Sequence, residues 1–227
     1  CCNWHEHPTT QRPTICHDQS TPTTFRMNSI EQLDTLLFCW INSHHSPLAD
    51  WLLWSASQSW SWAAVIAAFF CLATLRREPN QWWVILISIG LCFLLSDRIS
   101  VMCFKDVVCR PRPCHALTDV RMFHTTCGGL YGFVSSHAAN VFSIAILFAL
   151  RYGKPYKHHK YTCPAWIVPT LAMLWALIVG YSRPYLGKHY PGDVICGAIV
   201  GLGIGALIFF IMTYIENKTL TTKRQRK

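Results

Sequence analysis

Three short stretches of this 227-residue sequence collect side chains suited to handling phosphate. The first runs Lys105-Asp-Val-Val-Cys-Arg-Pro-Arg112-Pro113, the second Gly132-Phe-Val-Ser135-Ser136-His137, and the third Ser182-Arg183-Pro-Tyr-Leu-Gly-Lys-His189-Tyr-Pro-Gly-Asp193. Lys105, Arg112 and Arg183 supply cations, and a guanidinium binds phosphate oxygens through paired hydrogen bonds. Ser135 offers a hydroxyl. The backbone N–H groups of Ser136 and His137 fall where a helix N-terminus would attract an anion. His189 and Asp193 are spaced to share one helix face, with Pro191 acceptable in a first helical turn. Asp193 can then hold one ring nitrogen of His189, leaving the other unprotonated. His137 adds a second imidazole. One histidine attacking, the other protonating a leaving oxygen, and cations holding the equatorial oxygens amount to phosphoryl transfer without a metal or cofactor.

The elements that must position these stretches are membrane helices. The chain is 52% hydrophobic and only 14% charged, where soluble domains carry about 25% charged residues. That composition excludes a disordered chain, a small disulfide scaffold and, despite a net charge of +9, a nucleic-acid binder. Apolar blocks run from Trp60 to Leu75, Trp82 to Phe104, Phe133 to Leu150, Trp166 to Tyr181 and Val194 to Tyr214. The longest reaches about 34 Å as a helix, against a hydrocarbon core of roughly 30 Å. Trp51–Trp54 is expected to extend the first block and Cys163–Ala165 the fourth, while Leu33–Ile41 is too short to cross. The sequence therefore predicts an all-α polytopic transmembrane bundle of six helices: five full spans plus a short N-terminal interfacial or half-inserted helix.

Basic residues orient the bundle. Arg76 and Arg77, then Arg151, Lys154, Lys157 and Lys160, then Lys218, Lys223, Arg224, Arg226 and Lys227 follow alternate spans and fall on one face. The positive-inside rule makes that face cytoplasmic. All three phosphate-handling stretches then sit at outer helix ends. Residues 1–26 read as a disordered or non-native extension, 27–216 as the membrane domain and 217–227 as a basic cytoplasmic tail.

The three stretches resemble the signature motifs of the type 2 phosphatidic acid phosphatase superfamily. Lys105 to Arg112-Pro113 matches the first motif, and Ser182-Arg183 through His189 to Asp193 matches the third. Val134-Ser135-Ser136-His137 keeps the Ser and His of the second while replacing its Pro and Gly. The run from Cys127 to Asn140 is similar to Bacteroidetes-type members. The resemblance implies a metal-independent lipid phosphatase working through a phosphohistidine. His189 would be the nucleophile, Asp193 its orienter and His137 the general acid. Lys105, Arg112, Ser135, Arg183 and the Ser136 backbone would bind phosphate. Ser136 in place of Gly alters the conformational freedom of that N–H without removing a catalytic group.

Other residues read more plainly. Asp97 and Arg98 are costly within an apolar block; Arg98, seven residues before Lys105, is read with Asp97 as a pair supporting the site. His44 and His45 are surface residues. Cys39, Cys71, Cys92, Cys103 and Cys196 are expected to be inert buried thiols. Cys114 and Cys127, in the outer loop, are expected to pair as a disulfide bracing Arg112 against the helix of His137. Zinc held by Cys109, Cys114, His115, His124 and Cys127 is the alternative, although the spacing matches no tight finger. Tyr131, Trp166, Tyr181, Tyr185 and Tyr190 suit an aromatic belt. Gly197, Gly201 and Gly205 suit close helix packing.

The expected protein is a phosphatase of the bacterial inner membrane with an outward-facing site, a cytoplasmic C-terminus, and membrane lipids around it. Undecaprenyl diphosphate leads as substrate, followed by lipid A, then phosphatidate or phosphatidylglycerol phosphate. A vanadate-dependent haloperoxidase shares such a pocket but is soluble. A transporter would place ionisable groups near mid-membrane, whereas here they crowd one surface.

Overall fold

The computed structural model describes residues 29–75, 82–153 and 164–225. The N-terminal extension, Arg76, Arg77, Lys154, Lys157, Lys160, Cys163, Arg226 and Lys227 lie outside the described residues.

Helices form nearly everything described. They are α1 (Ser29–Ser43), α2 (Pro47–Ala56), α3 (Ser59–Leu75), α4 (Trp82–Ile99), α5 (Asp106–Val108), α6 (Pro113–Ala116), α7 (Ser136–Tyr152), α8 (Ile167–Tyr185) and α9 (Pro191–Gln225). A π-helical stretch, Ser100–Lys105, joins α4 to α5. Among the described residues there is no strand, only an isolated bridge between Pro111 and Tyr131. Three segments are long and apolar enough to cross a membrane: Trp83–Val108, Ile167–Tyr185 and Pro191–Lys218. At 17 residues, α3 and α7 each extend about 26 Å.

The central helix is α7. Val141, Ile144, Ala145, Leu147 and Phe148 are buried against Trp62 and Phe69 of α3, Ile85 and Ile89 of α4, Val168 and Ala172 of α8, and Ile204 and Ile208 of α9. The glycine ladder explains how α9 approaches so closely. A Cβ at Gly197, Gly201 or Gly205 would strike the carbonyl oxygens of Ser135, Ala139 and Ser143 respectively. The outer surface remains apolar: Leu171, Leu174 and Leu177 on α8 and Ile195, Ile199 and Phe210 on α9 are exposed, as a lipid-facing surface requires. Inside it, Arg151 of α7 pairs with Glu216 of α9.

Several expectations need correction. Trp51–Trp54 does not extend α3. It belongs to α2, which starts at an independent N-cap where the Ser46 side chain accepts from the Ala49 N–H. Apolarity carried both segments, but the chain turns between them at Ser57–Gln58. The α8 helix begins at Ile167, beyond Ala165. Tyr185 and Tyr190 are buried, so they do not join a belt, whereas Trp166 and Tyr181 are exposed. Of the expected buried thiols, Cys71 and Cys103 are exposed and Cys196 is half-buried, while Cys92 is buried. Cys39 is disulfide-bonded, as is Cys109.

Candidate active site

The site forms where the outer ends of α4, α7 and α8 meet the start of α9. Ser135 caps α7, accepting from the Ala138 N–H at 3.5 Å, and its own N–H donates to the Asp193 carbonyl at 3.0 Å. This backbone bond ties the second stretch to the third. Pro191 opens α9 with Asp193 in its first turn, where a carboxylate complements the helix dipole. His189 precedes that helix instead of riding on it. Gly187 makes the connection possible: its φ is +79°, and a Cβ would lie 2.8 Å from the Arg121 carbonyl oxygen.

A cavity of about 320 Å³ results. Lys105, Arg112, Arg183 and Lys188 bring four cations to its wall, beside Ser136, His137 and His189. Trp62, Asp97, Asn140 and the loop residues Thr126, Cys127 and Gly128 complete it. The Lys105 ammonium donates to the Ser136 hydroxyl at 2.7 Å. Arg112 Nη1 lies 3.0 Å from His189 Nε2. A guanidinium can only donate, so Nε2 carries the lone pair and Nδ1 the proton. Nδ1 faces Asp193 Oδ2 at 3.6 Å, too long for a formed hydrogen bond. Burial, followed by the nearby charges of Arg112, Arg183 and Lys105, holds the His189 ring well below its usual pKa and hence neutral. Burial beside Arg183 and Arg112 lowers Lys188 to about 8.

The cations are poorly compensated. The Nε atoms of Arg112 and Arg183 are buried with no hydrogen-bond partner, and Arg183 is only 2% exposed. Buried donors of this kind are costly unless an anion answers them. The cavity therefore suits a dianion, with an imidazole lone pair at its edge.

A family model, the PAP2 superfamily, matches residues 81–217, more than half of the chain and all three stretches. The chain belongs to the PAP2 superfamily. It is similar to a lipid A 4'-phosphatase of Porphyromonas gingivalis, 29% identical over 86% of this chain and 79% of that protein. A lipid A 4'-phosphatase of Bacteroides thetaiotaomicron is also 29% identical, over 82% and 79% of the two chains. The fold resembles the crystal structure of a PAP2 type phosphatidylglycerolphosphate phosphatase from Bacillus subtilis, with a TM-score of 0.59 and 20% identity over 85% of this chain and 89% of that one. This PAP2 protein is thus an integral membrane protein of a lipid phosphatase family.

Within the PAP2 site, Lys105, Arg112, Ser136, His137, Arg183 and His189 share one cavity, while Asp193 stands behind His189. Ser135 lies outside the cavity lining; fully buried, its hydroxyl is occupied in capping α7. The Ser136 hydroxyl faces the cavity instead. Asp97 lines the cavity but Arg98 does not. The π-helical stretch inserts an extra residue before Lys105, so the residue aligned with it is eight positions back instead of seven. His44 and His45 are exposed as expected. Cys114 and Cys127 form a disulfide with Cα atoms 5.9 Å apart. Ligand atoms of Cys114, His115 and Cys127 lie within 4.8 Å of one another, but the bonded sulfurs leave no thiolate pair for zinc.

Several supporting residues escaped the sequence reading. Arg110 bridges Asp193 at 2.9 Å and Asp34 of α1 at 2.7 Å, with its guanidinium 4.1 Å above the Tyr190 ring. Asp34 also accepts from the Gly192 N–H at 2.7 Å. A second clamp joins Asp50 to Arg121 at 2.6 Å and to the Tyr185 hydroxyl at 2.7 Å. Asn42 adds bonds to the backbones of Arg121 and Tyr185. Arg110 and Lys188 had a local signal, because each sits beside a motif residue. Asp34 and Asp50, in the N-terminal helices, had none.

Proposed function

We propose that this protein hydrolyses the phosphate of an amphiphilic membrane lipid through a phosphohistidine, without a metal. The observation that carries the reading is the convergence of four cations, two with unpartnered guanidinium nitrogens, on the His189 Nε2 lone pair. A bound phosphate draws Arg112 onto its oxygens and frees Nε2. Nε2 then attacks phosphorus, the P–O bond to the lipid breaks, and His137 protonates the departing oxygen. Water next attacks the P–N bond, passing a proton to His137 and restoring neutral His189. Lys105, Arg112, Arg183, Lys188 and Ser136 hold the equatorial oxygens throughout. Asp193 keeps the proton of His189 on Nδ1.

Lipid A phosphate leads as substrate in this reading. Relatives named lipid A 4'-phosphatase align over more than four-fifths of this chain. Undecaprenyl diphosphate, first on sequence grounds, becomes the comparison substrate. The bundle would sit in the inner membrane as five spans plus α1, with the site periplasmic and the C-terminus cytoplasmic. Lys218 on α9 and the basic residues after it favour that orientation.

Phosphate release from lipid A, undecaprenyl diphosphate and phosphatidate, measured in detergent with a chelator present, tests the proposal. Turnover should survive chelation and disappear in His189→Ala. A strict metal requirement, or full activity in His189→Ala, would overturn the mechanism.

A further inference from the structure

The helix that carries Asp50 lies outside residues 81–217, the part of the chain that the family model matches. Asp50 is nonetheless tied to the site. It is 5% exposed, and both of its carboxylate oxygens are occupied. Oδ1 accepts from Arg121 Nη1 at 2.9 Å and from the Tyr185 hydroxyl at 2.7 Å, while Oδ2 accepts from Arg121 Nη2 at 2.6 Å. The Tyr185 hydroxyl in turn accepts, at 3.3 Å, from the N–H of Ser46, which caps α2. For stability alone, a buried ion pair gains little over an apolar contact of the same volume. What a bidentate pair fixes is direction.

Two routes lead from this network to the cavity. The first runs through Tyr185, which lies between Arg183 and His189 in the third stretch. Its hydroxyl sets the turn that follows against α2, and that turn has no slack: a Cβ on Gly187 would lie 2.7 Å from Val120 Cγ1. The second runs through the Arg121 guanidinium. Asn42 already pins the Arg121 backbone to α1, donating to its carbonyl at 3.0 Å and accepting from its N–H at 2.9 Å. The pairing with Asp50 therefore does something else: it sets α2 against the loop, and α2 grips the residues that come next. Trp54 Nε1 donates to the His124 carbonyl at 2.9 Å, and the Trp51 ring packs 5.4 Å from that of Phe123. Just beyond them Thr126, Cys127 and Gly128 form a wall of the cavity, with Cys127 bonded to Cys114. This wall hangs from α2 at one end and from the disulfide at the other.

We infer that Asp50 is a positioning residue for this site: through Tyr185 it sets the turn that presents His189, and through Arg121 it sets the wall at 126–128. The inference rests on the hydrolytic reading above and adds to it a residue that touches no substrate. The two routes have separate kinetic signatures. A displaced His189 slows phosphoryl transfer and lowers kcat, since a misplacement of about 1 Å can cost about 100-fold. A slack wall loosens contacts made equally in the ground and transition states, which raises KM.

The test measures kcat and KM for phosphate release by the full-length protein in detergent, on whichever of lipid A, undecaprenyl diphosphate and phosphatidate the wild type hydrolyses best. Tyr185→Phe removes only the hydroxyl. It should lower kcat by about 10-fold with KM within about twofold, the low end for a hydrogen bond to a charged group. Arg121→Lys cannot pair both oxygens of Asp50, and should raise KM about 3- to 10-fold with kcat within about twofold. Asp50→Asn should do both. In the Tyr185→Phe background it should still raise KM but lower kcat no further, because that route is already cut. Where Asp50→Asn fails to fold, Asp50→Glu keeps the charge, and its longer arm should move kcat and KM in the same directions. Variants that melt at lower temperature with wild-type kcat and KM would show that the network only braces the fold, and would overturn the inference. Losses of kcat in Asp50→Asn and Tyr185→Phe that multiply in the double variant would overturn it as well. Either result leaves the hydrolytic reading standing. A wild-type protein that releases phosphate from none of the three lipids would overturn both.

Discussion

Replacing Arg183 by methionine should make the resting protein more stable and the enzyme inactive. Arg183 is 2% exposed, its Nε is unpartnered, and it makes no side-chain hydrogen bond or ion pair among the described residues. Taking such a charge out of water costs several kcal/mol, and apolar replacement of buried ionic groups has stabilised proteins by about 1–4 kcal/mol. A flexible thioether of comparable length fills the space. With about 2 kcal/mol recovered, and 2–4 °C per kcal/mol in a chain of this size, the melting temperature should rise by about 4–8 °C. Vanadate at a hundred times its Kd should add about 2.7 kcal/mol to the wild type. The variant should show no such increment, and its turnover should fall at least about 100-fold. Thermal scans at one scan rate in one detergent, with and without vanadate, read both effects. An Arg183→Met variant melting well below the wild type without anion would show that Arg183 braces the fold, and would refute the reasoning.

Further outcomes follow from the same geometry. Lys188 is charged below its lowered pKa of about 8, so kcat/KM should decline as pH rises through that value. Lys188→Met should flatten this limb, and the neutral His189 should contribute no acid limb near pH 6.5. Arg110→Lys should lower kcat by about 10-fold or more with little change in KM, since an ammonium cannot span Asp34 and Asp193 as a guanidinium fork does. Thiol labelling should find Cys114 and Cys127 unreactive until reduction. Reduction should raise KM several-fold, because Thr126, Cys127 and Gly128 line the cavity; an unchanged KM would make the bond irrelevant to the site.

The convergence of the three stretches was legible because each motif is local: its residues lie within a dozen positions and carry rare chemistry for a membrane segment. Lys105, Arg112, His137, Arg183 and His189 accordingly meet in one cavity. Contacts between distant segments were not legible. Asn42 and Tyr185 are separated by 143 positions and Gly192 and Asp34 by 158, and nothing local in Asp34 or Asn42 distinguishes them from solvated helix residues. The π-helical insertion at Ser100–Lys105 was equally hidden, since hydropathy does not register one added residue. That single residue moved Asp97 into the cavity in place of Arg98. The capping role of the Ser135 hydroxyl went unread for another reason. A serine at an N-cap is drawn to its own helix N–H groups, and here that attraction takes it away from the cavity.

The short helix α1 then acquires a purpose that length alone does not suggest. Ile30, Leu33, Leu36 and Trp40 are exposed along one side, an apolar strip suited to lipid. The other side carries Asp34, Phe38 and Asn42, which reach Arg110 and Gly192, Tyr190, and the Tyr185 and Arg121 backbones. Every one of those partners belongs to a segment holding a motif residue or to the loop between motifs. Were α1 to partition into the membrane surface, that partition would be coupled to the geometry of His189 and Asp193 by ion pairs and backbone hydrogen bonds. A helix too short to cross would act as a brace, anchored on lipid and pressing the third motif against the first. Removing its apolar strip while retaining Asp34 and Asn42, as in Leu33→Ser with Leu36→Ser, should leave the protein membrane-bound through its long helices. It should nonetheless lower kcat, because the lipid contact that holds the brace would be gone. Unchanged kcat with α1 solvated would mean that the ion pairs alone hold the site.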